Sequence, residues 1–117
     1  MPAATIFTTS ATIIRGVART RGKTAAFTIT VPMGASIRDI HIMNNTANAV
    51  TGGIKIGTTA GGTDVLAAGA VAANALVSFV PLIGAANPSA VRTIYVDAVT
   101  AWNAANIDIA IEWKDLT

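Results

Sequence analysis

Ile107-Asp108-Ile109-Ala110-Ile111-Glu112-Trp113 alternates large apolar residues with small or charged ones without a break. A strand turns successive side chains to opposite faces, so Ile107, Ile109, Ile111 and Trp113 share one side and Asp108, Ala110 and Glu112 the other. The same two-residue beat recurs upstream. Phe27, Ile29 and Val31 alternate with Thr28 and Thr30 before Pro32 and Gly34, and Ile40 and Ile42 oppose Asp39 and His41. Ile54 and Ile56 flank Lys55 in the same way.

Further strands are predicted at residues 6–9, 12–17, 76–80 and 93–99, with Gly16 as a bulge. Residues 19–23 read as a turn around Gly22, and Asn44, Asn45 and Asn48 mark another. Residues 58–64, with Gly61 and Gly62, and residues 81–89 read as loops, and residues 102–106 make the last turn. The stretch 65–75 is rich in Ala, which favours helix, but Gly69 interrupts it and Val65 and Val71 fit an extended path. Strand plus loop is the favoured reading there. About eight short strands with turn signals about every 8–12 residues predict an all-β, antiparallel β-sandwich or a small barrel.

Composition agrees. Ile and Val together number 24 against 4 Leu, and Thr adds 16 more residues branched at Cβ; such side chains suit a pleated sheet and lose rotamers in a helix. At 117 residues the chain fits a single domain spanning 1–117. A chain of that size buries roughly two-thirds of its unfolded surface, enough for a core without the disulfides that its lack of cysteine forbids. The 24 Ala residues fit closely apposed layers or flat surfaces covered by neighbouring subunits, or else compositional drift in a GC-rich genome. Charged residues make up 12% of the chain, about half the usual share of roughly 25%. A surface so short of charge marks association.

No secretory signal is expected at the N-terminus, which lacks a basic start. Residues 65–91 carry no charge, but Asn74, Ser78, Pro81, Asn87 and Pro88 make a membrane span unfavourable.

Residues that ordinarily do chemistry are scarce. His41 is the one histidine, and no nucleophile-elbow motif accompanies it, so a hydrolase would have to rest on His41 and an ordinary Ser or Thr. Asp39 and His41 share a strand face but read as a solvent-facing polar pair, and Asp108 and Glu112 as partners for nearby basic groups. The glycines of residues 57–62 lack the Gly-Lys-Ser/Thr ending of a phosphate cradle. No catalytic residue, metal ligand or cofactor is assigned.

Charge is uneven. Arg15, Arg19, Arg21, Lys23 and Arg38 precede the first acid, Asp39; from there on three basic residues face six acids. The basic third reads either as a hairpin tip kept in water or as a contact for an acidic protein surface. Nucleic acid is disfavoured, because aromatics for base stacking are 5% of the chain. Phe7 and Phe27 read as core. Trp102 lies in a turn, where it either plugs the end of the sandwich or anchors a partner. The candidate partner contacts are therefore Arg15, Arg19, Arg21, Lys23 and Trp102.

The stretch Thr51-Gly-Gly-Ile-Lys-Ile-Gly-Thr-Thr-Ala-Gly-Gly-Thr-Asp-Val65, an Ala/Gly-rich segment ending in Asn74-Ala-Leu76, Ala98-Val-Thr-Ala-Trp102-Asn and the closing alternating strand together resemble small virion proteins of tailed bacteriophages, of the capsid decoration and head-fibre type. The resemblance covers residues 52–113 and implies a jelly-roll-like sandwich, homotrimeric, on the capsid exterior. It implies a non-enzymatic structural protein made in the host bacterial cytoplasm, with itself and the major capsid protein as partners. Residues 1–11 would serve as an N-terminal arm. A receptor- or glycan-binding fibre-tip module, using Trp102, Tyr95 and loop Asn residues, is the alternative.

Overall fold

The computed structural model describes residues 15–115. The strand predicted at 6–9, Phe7, the 12–14 part of the next and the 1–11 arm lie outside them. Eight strands follow in chain order: β1 (Arg15–Lys23), β2 (Phe27–Val31), β3 (Ala35–Asn44), β4 (Ile54–Gly57), β5 (Leu66–Gly69), β6 (Leu76–Phe79), β7 (Arg92–Ala98) and β8 (Ile107–Asp115). The described residues contain no helix, so 65–75 is strand plus loop.

The strands form two antiparallel sheets of four, ordered β1-β8-β3-β6 and β2-β7-β4-β5. The ladders are nested: first strand with last, second with seventh, third with sixth, fourth with fifth. A long hairpin rolled upon itself gives this order, so the sandwich is jelly-roll-like. Its interior is the apolar half of each alternation. Ile107, Ile109 and Ile111 of β8 lie beside Ile40 and Ile42 of β3, facing Ile54, Ile56, Ile94 and Val96 of the other sheet; all are buried.

Three bulges adjust the pleat. Across Ile37 and Asp39, β3 spends one residue more than β8. Arg38 is thereby thrown outward, and Ile37 joins Ile40 in the core although the two stand an odd three positions apart. The second corrects the sequence reading of residues 19–23. These residues are not a turn but the end of β1, which absorbs an extra residue between Thr20 and Lys23, with Gly22 at φ 67°. Asp108 Oδ1 accepts the Gly22 N–H at 2.8 Å and stands in for a ladder partner. Nor is Gly16 a bulge: it pairs in register with Trp113. The third, in β5, turns both Leu66 and Gly69 inward.

Asn44 closes β3 and is wholly buried. Its Nδ2 donates to the carbonyls of Asn48 (2.8 Å) and Ala72 (3.2 Å), and its Oδ1 accepts from the N–H (3.0 Å) and hydroxyl (2.9 Å) of Thr46. The predicted Asn turn thus hangs on one side chain that satisfies two loops at once.

Candidate interaction surface

The alternation that fills the core also decides what the outer face of the β1-β8-β3-β6 sheet presents. From β1 it takes Val17, Arg19 and Arg21, from β8 Asp108, Ala110 and Glu112, from β3 Asp39, His41 and Met43, and from β6 Leu76 and Ser78.

Arg19 and Arg21 are exposed and stand on this face along the border strand. Arg15 opens the same strand opposite Lys114. Lys23 does not join them. The bulge turns it toward the other sheet, where its Nζ lies 5.8 Å from the ring centre of Phe27, a cation–π arrangement. The predicted basic cluster is therefore split, with two arginines outward and one lysine spent on an aromatic ring.

Trp102 folds back onto the end of the sandwich. It is half-buried against the core, its Nε1–H donates to Asp97 Oδ1 at 2.9 Å, and its ring lies 6.4 Å from that of Phe27 at a 49° tilt. Phe27 is likewise half-buried against the core. Trp113 packs on the same core from the far end of β8, over Gly16.

A polar row crosses the middle of the sheet. Ser78 Oγ lies 2.7 Å from His41 Nδ1, and His41 Nε2 lies 2.5 Å from Glu112 Oε2. Adjacent strands and the two-residue pleat bring the three together: Ser78 is opposite His41, and His41 is opposite Ala110, one pleat from Glu112. Sequence reasoning found Asp39 and His41 on one face but missed Ser78, because strand order is not legible in spacing. Hydroxyl, imidazole and carboxylate in line can relay a proton. Acyl transfer needs in addition donors aimed at a developing oxyanion. Ser78 sits in mid-strand on an open pleated face, and the row serves the sheet as a cross-strand tie.

At the β4–β5 loop, Asp64 accepts the Thr58 hydroxyl at 2.6 Å and the Thr58 N–H at 2.8 Å. These bonds, the hydroxyl's first, hold its carboxyl below the ordinary 3.8, against a small opposing effect of burial. The loop is a tight reversal held by a carboxylate at its foot. Among the described residues no group of three or more His, Cys, Asp or Glu is placed to hold a metal ion, and no helix is long and apolar enough to cross a membrane.

No family model matches the chain, and no curated protein matches it. Among solved structures it is similar to a chain of the cyanophage Pam1 capsid asymmetric unit, at a TM-score of 0.48 and 17% identity, over 86% of this chain and 84% of that one.

Proposed function

We propose that this chain is a non-enzymatic structural protein of a bacteriophage particle, which associates with itself, as a trimer, and binds the outer capsid surface as a decoration or cement protein. The observation that carries the reading is the exterior. Apolar side chains remain uncovered on a charge-poor sandwich: Leu76 is 69% exposed, Val80 76%, Leu82 65% and Val91 62%. Such surface favours association in water. A protein of this kind needs no reactive group. Binding the assembled shell and not its parts stabilises the shell by mass action, and several copies joined to one another bind it more tightly than one.

Arg19 and Arg21 supply the contact with an acidic capsid surface in this reading, since they are exposed on a border strand and form no ion pair among the described residues. Light scattering on the eluting wild-type protein, with electron microscopy of phage heads mixed with it, tests the proposal. A trimeric mass and regular added density on the heads are expected. A monomer that leaves heads bare overturns it. Arg19→Glu/Arg21→Glu is expected to weaken head binding by about tenfold or more at low salt, and the difference to shrink as salt is raised.

The receptor- or glycan-binding alternative draws on Trp102. Its indole is committed to Asp97 and Phe27, which supports the end-plug role over a stacking platform.

A further inference from the structure

The two borders of the β1-β8-β3-β6 sheet are finished differently. β1 carries Arg19 and Arg21 outward and a bulge near its end, features that deter a second strand from adding to it. β6 carries no such guard. After β6 the chain keeps running beside β3: Ile37 N–H donates to Gly84 O and Gly34 N–H to Asn87 O, each at 2.8 Å. Residues 76–87 thus form one continuous border.

The second sheet ends on the same side. Leu82 N–H donates to Val65 O at 2.8 Å, and the Phe79 ring lies against Gly69 of β5. From Val65 to Val91 there is no Asp, Glu, Lys, Arg or His. The stretch that builds this side therefore brings no charge of its own, and only Arg92, whose Nε–H donates to Ala85 O at 3.1 Å, and His41, bonded to Ser78, reach its margins. It also holds Leu76, Val80, Leu82, Ile83 and Val91 exposed, with Met43 beside Leu76 across the ladder.

We propose that this neutral side is where copies of the chain meet, the β5/β6 sides converging on the axis of the oligomer. The inference rests on the self-association in the proposed function and names its surface. The occupant follows from charge and area. An uncharged apolar surface gives a charged partner nothing in exchange for its lost water, so the covering surface must itself be neutral. The same side of a second copy meets that requirement and opposes no like charges. At about 60–120 Å² of apolar surface per fully buried aliphatic side chain, the exposed fractions of these six residues amount to roughly 300 Å². The uncharged Ala, Gly and Pro residues between them bring the side toward the ~450 Å² that forms the apolar part of an ~800 Å² half-interface.

The test compares the masses of the wild-type chain, Val80→Glu/Leu82→Glu and Val17→Glu by light scattering, with far-UV circular dichroism as the check on folding. Val17 is also exposed but belongs to the opposite border. The wild type and Val17→Glu are expected to be oligomeric, and the double variant a folded monomer whose association is at least ~100-fold weaker. An unchanged mass for the double variant, or equal dissociation by Val17→Glu, overturns the inference and leaves self-association standing. A monomeric wild type overturns both. If the double variant does not fold, hydrogen exchange of the wild type decides: amides of residues 76–87 that slow as the protein is concentrated through assembly support the inference, and amides that do not slow while the mass rises overturn it.

Discussion

Gly16 and Trp113 face each other across the β1–β8 ladder so closely that a Cβ on Gly16 would overlap the six-membered ring of the indole. Trp113 ends the apolar stripe of β8 over a gap that a missing side chain provides. Gly16→Ala is expected to destabilise the protein by about 1–3 kcal/mol through overpacking, although an added Cβ in a strand ordinarily stabilises. Combining it with Trp113→Leu should recover part of the loss, seen as non-additivity in denaturant unfolding.

The Trp113 Nε1–H is buried and finds no acceptor among the described residues. Trp113→Phe discards that donor and keeps most of the ring, so it should cost less than ~1 kcal/mol. Trp113→Ala should cost about 3–5 kcal/mol. Thermal melts of the two variants give the comparison.

Trp102 has the opposite balance, because its Nε1–H is satisfied by Asp97. Trp102→Phe leaves Asp97 Oδ1 with the Ala98 N–H alone and should cost about 1–2 kcal/mol. The order of the two Trp→Phe variants, 102 worse than 113, is the quantity to measure by urea unfolding.

Asn44→Leu removes four hydrogen bonds from a fully buried position, strands the Ala72 carbonyl and the Thr46 N–H, and leaves the Asn48 carbonyl only the Thr46 hydroxyl. A loss of about 2–4 kcal/mol is expected, with faster hydrogen exchange in residues 45–50 and 72–75.

Asp64 gives the acid limb of stability a defined contribution. Its folded pKa is lowered, so the stabilisation is complete above the unfolded value near 3.8 and is lost as pH falls through the folded value. The group is exposed, which limits the effect to below about 1 kcal/mol. Wild type and Asp64→Asn should differ in unfolding free energy at pH 6, and the difference should shrink as pH falls below the unfolded value near 3.8.

The strands of this fold were legible wherever the two-residue beat ran unbroken, as in β2, β4 and β8, because burial on one face writes itself directly into alternation. Residues 19–23 misled because Gly22 among basic residues has a turn's composition, while the strand there is held by Asp108, 86 positions away. Arg38 hid a bulge in the same manner: the sequence shows Ile37 and Ile40 out of step and cannot show the partner strand that makes them agree. The basic residues were found, but their division, Arg19 and Arg21 outward and Lys23 over Phe27, depends on that hidden bulge. The Ser78–His41–Glu112 row joins three strands whose adjacency follows from nesting and not from spacing.

Nesting also governs the order of events during synthesis. β8, which lies between β1 and β3, leaves the ribosome after the other seven described strands. Until it emerges, β1 has no ladder and β3 lacks one of its two neighbours, so the nascent chain holds its isoleucines uncovered and awaits a long-range closure. A premature stop before Ile107 would leave a chain unable to close, prone to clump and fit for degradation, even though seven of the eight described strands had been made.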